Sequence, residues 1–414
     1  MSAAERVAVV SGERAPARDR LRQLATWLMA LTLAASPAYV ERPHVGPLPT
    51  TLLEIPLVVA IAVGLYAFRD ELPWRSPYLW PAALLLVAAT VDTVVAPDRR
   101  AAAGLWKAYF AEPMLAGLVI AAIARGRARA RLLLAGLLVS GAYVAVLNSA
   151  RVAWAIAHHT FNVVTPPVAI FNSANAVPLY LEPLVAFALA VAFFSDDQRE
   201  RVVAVAFSVL AAVAIFLSYS RAGWATLAVL VLFVALASRW RWQALVGTVT
   251  LGALLFAASS SVRRRVLVEF DPSSSQNTIG TRMSLWKSSL NMLTHKPLFG
   301  GGLSGFKTSI QAYKDPGYHE DLIYPHDVFL NFWSETGLLG LVAFIWLMVQ
   351  VVRTALRGLA SAPWPRAMAI GLLGLAVAFL LHGLVDLPYF KNDQALAFWA
   401  LVGVQLGSLG PPPK

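Results

Sequence analysis

Two arginines and one histidine carry the chemistry that this sequence offers. Arg221 lies in Ser218-Tyr-Ser-Arg-Ala-Gly-Trp224, at one end of an apolar stretch. An arginine beside a long apolar helix is costly without a partner, which makes it a candidate for function. The blander account is a guanidinium reaching for lipid headgroups. Arg282 opens a segment in which Met283, Trp286, Leu290 and Leu293 recur at spacings of three and four. That pattern predicts an amphipathic helix from near Thr281 to before Pro297, with these residues on its apolar face. N–H groups at a helix start favour an anion, and a guanidinium adds a two-pronged donor. Arg282 and Arg221 can therefore grip a diphosphate together, although a solvated loop arginine fits Arg282 alone equally well. Arg265 ends the run Arg263–Arg265 and is a supporting candidate, with headgroup attraction as the plainer explanation.

His326 lies in Tyr324-Pro-His-Asp-Val-Phe-Leu-Asn-Phe-Trp-Ser-Glu-Thr-Gly337, at the start of another apolar stretch. Asp327 is placed to cap the helix that follows. The positive helix end and nearby arginines disfavour an imidazolium, so His326 is suited to act as a neutral general base. A satisfied histidine at the membrane interface is the alternative. His382 and Asp386 are four apart, so they can pair on one helix face. Lys107 and Glu112 are five apart and share no face of a regular helix, so each is expected to pair with another span. The glycines at 300, 301, 302 and 305 form either a phosphate-binding nest or a simple hinge. No Walker, dinucleotide or zinc-type spacing occurs, and no cofactor or metal is expected.

These residues must be positioned by a membrane bundle. The 414-residue chain is 58% hydrophobic and 14% charged, against roughly 25% charged residues in soluble chains. Apolar stretches of about 17–25 residues, the length of a membrane-crossing helix, recur at 21–40, 50–68, 78–96, 102–124, 132–156, 174–194, 202–219, 223–238, 243–259, 327–352, 367–386 and 392–409. The expected fold is all-α and polytopic: a single membrane domain over 1–414 with about twelve spans. Residues 260–326 form one large helical loop between the ninth and tenth spans. The chain has no cysteine, which excludes disulfides and thiol chemistry.

Orientation follows from the short loops. One alternating set holds Arg69 and Arg75, Arg125 to Arg131, Arg199 and Arg201, Arg239 and Arg241, and Arg353, Arg357 and Arg366. The other holds only Arg42, Arg99, Arg100, Arg221 and Lys391. The richer set belongs to the cytoplasm, along with both termini, and the 260–326 loop belongs to the periplasm. The arginine-bearing first twenty residues read as a cytoplasmic tail. The net charge of +11 is explained by orientation-setting arginines, and no nucleic-acid partner is expected.

The segments Ser218–Trp224, Thr281-Arg-Met-Ser-Leu-Trp286, Pro297-Leu-Phe-Gly-Gly-Gly-Leu-Ser-Gly-Phe306, His326-Asp-Val-Phe-Leu-Asn and Ser334-Glu-Thr-Gly337, in this order, resemble the O-antigen ligase and O-antigen polymerase superfamily. Phe171-Asn-Ser-Ala-Asn-Ala-Val-Pro-Leu-Tyr180, Val385-Asp-Leu-Pro and Phe398-Trp-Ala-Leu-Val-Gly403 look similar to its other segments. The resemblance covers about residues 170–405. Many members have Asn after the histidine, where this chain has Asp327. The resemblance implies an inverting, metal-independent glycosyltransferase in the bacterial inner membrane, acting at its periplasmic face. Such an enzyme moves a glycan from undecaprenyl diphosphate to an acceptor hydroxyl, on lipid A–core in a ligase. The acceptor is another lipid-linked repeat in a polymerase and a protein in related oligosaccharyltransferases. Carried over, Arg221 and Arg282 hold the donor diphosphate and His326 deprotonates the acceptor.

A transporter or flippase for lipid-linked sugars is the competing class. Transporters place polar groups near the midplane of repeated halves, whereas the candidates here gather at one surface. The orientation is testable because the chain lacks cysteine. Single cysteines at Ser274 and Ser361 should react with an impermeant thiol reagent from opposite sides of the membrane, and equal reaction in intact cells would overturn the arrangement.

Overall fold

The computed structural model describes residues 3–43, 49–271, 274, 277–315 and 323–410, with side chains from residue 17 onward. All regular structure among them is helical. The helices are α1 (Ala3–Ala34), α2 (Glu54–Ala67), α3 (Leu79–Val95), α4 (Arg99–Ile123), α5 (Arg127–Ala157), α6 (Ala176–Phe194), α7 (Gln198–Leu217), α8 (Arg221–Leu236) and α9 (Arg241–Ala258). They continue with α10 (Ser260–Leu267), α11 (Thr278–His295), α12 (Val328–Gly358), α13 (Pro363–Gly383) and α14 (Asn392–Ser408). Each of the twelve apolar stretches coincides with a helix, and seven helices are long and apolar enough to cross a membrane. α1 reaches back to Ala3, so the expected tail is helical in its backbone.

Burial sorts the helices into an inner and an outer set. α6 is hydrophobic all round and buried along nearly its whole length, as is α14. α13 packs along α6, α14 along α4, and α12 along α3. Between α12, α13 and α14 lies an aromatic cluster in which Phe332 stacks on Phe344 at 4.0 Å, with Phe379, Tyr389, Phe390 and Phe398 around them. At the other extreme, α9 buries no residue and packs chiefly on α8 and α10.

The charged contacts of the loops and the candidate site residues lie at two ends of the bundle. At one end Arg18 pairs with Asp70, Arg22 with Glu71, and Arg127 with Asp196 and Glu200. Arg127 also lies over the Trp364 ring and Arg366 over Phe194. At the opposite end stand Arg221, Arg265, Arg282, His326 and Asp386.

One helical irregularity corrects the sequence reading. α4 contains a π turn over Trp106–Ala111, in which the Glu112 N–H donates to the Lys107 carbonyl. A five-residue spacing is one full turn in that geometry, so Lys107 and Glu112 do share a side. Lys107 nevertheless pairs with Glu54 of α2, as expected of a charge seeking another span. Glu54 also accepts from Asn392 at 2.8 Å.

Breaking a buried ion pair leaves an uncompensated charge and costs about 3–5 kcal/mol. Glu54→Ala should therefore lower the melting temperature in detergent strongly, and adding Lys107→Met should recover much of the loss. Simple additivity of the two substitutions would show the pair to be uncoupled.

Candidate functional site

The arginine side of the site is built by local capping. Tyr219 adopts a left-handed φ of 53° that turns the chain from α7 into α8. Ser220 then caps α8, its side chain accepting from the Gly223 N–H at 3.3 Å. This sets Arg221 at the first helical position. Gly223 lies so close to Pro178 of α6 that a Cβ would meet it at 2.7 Å, so a larger residue would push α8 away. Trp224 donates to the Phe216 carbonyl at 3.0 Å and stacks on the Phe216 ring. The Ser218–Trp224 motif is thus a turn, a cap, a cation and a close approach in succession.

Arg221 is partly buried and reaches across to the 260–326 segment. It pairs with Glu269, donates to Thr278 Oγ1 at 3.0 Å and to the Arg265 carbonyl at 3.3 Å. Arg282 donates to the same Thr278 Oγ1 at 3.3 Å. Thr278 in turn donates to Glu269 at 2.8 Å, so its hydroxyl is used in both senses. Arg265 donates to the Tyr219 carbonyl at 3.3 Å. Arg221, Arg265 and Arg282 therefore lie in one cluster, in which Arg221 pairs with the Glu269 carboxylate.

The amphipathic helix α11 differs from expectation in start and facing. Asn277 caps it, accepting from the N–H groups of Ile279 and Gly280. The helix consequently begins three residues before Thr281, which puts Arg282 in its second turn, reaching back to Thr278. The buried face is Leu285, Ser288, Ser289, Met292 and Leu293, whereas Met283 and Leu290 are exposed. Ser288 and Ser289 return their hydroxyls to the carbonyls of Ser284 and Leu285, which lets small side chains serve as a packing face.

The 297–306 segment is a docking strap and not a phosphate nest. α12 breaks at Thr336 and Gly337, where Gly337 takes a φ of 63°. Into this break fits Leu298, whose carbonyl accepts from Leu338 N–H at 3.1 Å and would lie 2.1 Å from any Cβ on Gly337. Gly301 donates to the Ser334 carbonyl at 2.8 Å, and Glu335 accepts from the N–H groups of Ser304 and Phe306. The amides that a phosphate nest would need are already used.

The histidine side joins distant parts of the chain. Asp327 caps α12, accepting from Leu330 N–H at 2.8 Å. His326 precedes it with a left-handed φ of 50°, an uncommon conformation for a residue with a Cβ. His326 Nδ1 lies 3.1 Å from Asp386 Oδ1. Asp386 does not pair with His382: α13 ends at Gly383, so the four-residue spacing no longer lies on a helix. His382 instead donates to Glu182 of α6 at 2.9 Å and is 1% exposed. Asp386 also accepts from Asn175 at 3.1 Å and from Leu387 N–H at 3.0 Å. Burial opposes its charge, but the His326 hydrogen bond, both histidines and the Arg282 guanidinium outweigh it, holding the Asp386 carboxyl well below the usual range. An ionised carboxylate only accepts, so the neutral tautomer of His326 that this contact favours has its proton on Nδ1 and its lone pair on Nε2.

Two members of this site carry no signal of their own in the sequence: Asn175 lies in the Phe171–Tyr180 segment and Glu269 in no motif. Asp386, whose spacing points to His382, pairs with His326 instead. The N-cap Asn277 is the one local signal that could have fixed the start of α11.

Residues 206–345 match a family model described as O-antigen ligase. The matched stretch holds Arg221, Arg265, Glu269, Arg282, His326 and Asp327, while Asn175 and Asp386 lie outside it. A comparison with curated proteins finds no match. Over residues 206–345, about a third of its length, the chain is thus similar to the O-antigen ligase family, the family that its motifs resemble.

Proposed function

We propose that this protein transfers a glycan from undecaprenyl diphosphate to an acceptor hydroxyl, with lipid A–core as the acceptor, at the periplasmic face of the inner membrane. The observation that carries this reading is the placing of three guanidiniums beside a His–Asp pair at the arginine-poor end of the bundle. The Arg282 guanidinium is among the charges that lower the Asp386 carboxyl, after those of His326 and His382, which sets the cations within electrostatic reach of the His–Asp pair.

The chemistry follows from the parts. The acceptor oxygen attacks the anomeric carbon as its proton passes to His326 Nε2. The bond from that carbon to the diphosphate oxygen breaks, and undecaprenyl diphosphate leaves with the electron pair. Attack opposite the leaving group inverts the anomeric centre. Arg221 and Arg282 stabilise the charge that develops on the diphosphate, and Arg265 supports them through its carbonyl and its own cation. These cations supply what a metal supplies elsewhere, so no metal is invoked. Asp386 fixes the His326 tautomer and stabilises the imidazolium that forms, the role of the acid in a Ser-His-Asp triad. His382, fully enclosed and turned to Glu182, is out of reach of a substrate hydroxyl.

Purified enzyme incubated with lipid-linked glycan and lipid A–core provides the test. Arg221→Ala and Arg282→Ala should each lower transfer by about 10²-fold or more, the scale for losing one preorganised donor, and lysine should rescue only in part. Full activity in both alanine variants would remove the diphosphate clamp. EDTA should leave the rate unchanged, and a loss restored by divalent ions would indicate a metal-dependent route.

The histidines are separable in the same assay. His326→Ala should reduce kcat by about 10²–10⁴-fold, the usual range for a general base, with donor affinity largely kept. Asp386→Asn should act on kcat in the same direction, because it disturbs the tautomer. A His382→Ala enzyme that folds but is dead, beside an active His326→Ala enzyme, would transfer the role to the other histidine.

A further inference from the structure

The seat assigned above to the donor diphosphate is filled by a side chain of the protein itself. Glu269, in the short turn Val268–Phe270, pairs with Arg221 through Oε1. The same oxygen accepts from the Thr278 hydroxyl at 2.8 Å and lies 3.4 Å from the Thr278 N–H. Oε2 accepts from the Ile279 N–H at 3.1 Å. A guanidinium, a hydroxyl and two backbone N–H groups at the start of an 18-residue helix are the donors a phosphate oxygen would take. Glu269 is also the only acidic group in contact with Arg221 among the described residues.

Resting on the donor-site reading above, we propose that Glu269 is a resident competitor that occupies the diphosphate seat and is displaced when the donor binds. The charge balance gives the exchange a direction. Counting Asp386, on which Arg282 also acts, three guanidiniums face two carboxylates and leave an excess of one positive charge. A diphosphate diester brings two negative charges where the carboxylate brings one, so replacing Glu269 improves the balance. A lipid monophosphate diester brings one charge and gains little over the carboxylate already present. Glu269 thereby acts as a specificity residue that favours diphosphate carriers over monophosphate carriers. It also gives Arg221 a partner while the seat is vacant, which keeps a half-buried guanidinium from standing alone. The alternative role is a fixed strut that holds Arg221 in place throughout turnover.

Full-length protein in lipid nanodiscs separates the two. Wild type, Glu269→Gln and Glu269→Asp are titrated with inorganic pyrophosphate, with undecaprenyl-diphosphate-linked glycan and with the monophosphate-linked counterpart. A displaced competitor predicts that Glu269→Gln binds both diphosphates on the order of tenfold tighter, since a neutral amide competes less well than a carboxylate. Its preference for diphosphate over monophosphate should shrink, and Glu269→Asp, which keeps the charge, should stay near wild type. Unchanged or weaker pyrophosphate binding by a stably folded Glu269→Gln protein establishes the strut and overturns the proposal. If Glu269→Gln does not fold, a structure of the wild type with pyrophosphate decides. Pyrophosphate on Arg221 with Glu269 turned away supports displacement, and Glu269 still on Arg221 overturns it. Tighter pyrophosphate binding in Glu269→Gln with no binding of the lipid-linked glycan to any variant supports the competitor and rejects the donor assignment instead.

Discussion

The break in α12 is the constraint on which the site depends. A continuous helix through Thr336 and Gly337 would leave no room for the Leu298 carbonyl and no free acceptor for the Gly301 N–H. The strap that docks there follows directly from α11, so the break fixes where α11 lies. It therefore fixes where Thr278 and Arg282 face Arg221. The same helix begins at the Asp327 cap, so its first turn sets His326. The arginine cluster and His326, though distant in sequence, are registered to one another through a single interrupted helix. Interrupted helices are tolerated at membrane depth only where protein re-satisfies the freed backbone groups, and here the strap and Glu335 do so.

Behind the polar groups the packing is rigid. Phe332, Phe344, Tyr389 and Phe390 stand against the loop that carries Asp386, and Tyr389 is tied to the Tyr109 carbonyl at 2.8 Å. Asp386 has its acceptor capacity taken up by His326, Asn175 and Leu387. The nearby Glu182–His382 pair joins α6 to α13 in the same manner. His326, resting through Nδ1 on a carboxylate that is itself held by Asn175 and the Leu387 N–H, is tied to this rigid packing.

Much of this was legible in the sequence, for identifiable reasons. Twelve apolar stretches mark twelve helices because hydrophobic length is a local property. Arg221 and His326 stand out in the sequence because each sits at the end of an apolar run, where a polar residue is costly, and Arg282 because it opens an amphipathic segment. Pairings across the fold were not. Asp386 lies sixty residues from His326, and its four-residue spacing to His382 suggested a helical pair that the end of α13 dissolves. Glu269 sits in a turn without periodicity, so nothing local relates it to Arg221. Of the stripe Met283, Trp286, Leu290 and Leu293, Leu293 is buried while Met283 and Leu290 are exposed, and the packing face is completed by Ser288 and Ser289, whose small size a hydrophobic pattern does not record. The spacing of Lys107 and Glu112 misled because a π turn changes the period itself.

α9 has 18 residues and none of them is buried by the rest of the protein. About 27 Å long at 1.5 Å per residue, it nearly matches the hydrocarbon thickness. Its C-terminal end passes through Ser259 into α10, which carries Arg265 and its carbonyl contact to Arg221. One wall of the arginine cluster therefore hangs from a helix that the rest of the protein leaves largely uncovered. Whatever packs on α9 from outside the chain bears, through Ser259, on where Arg265 stands.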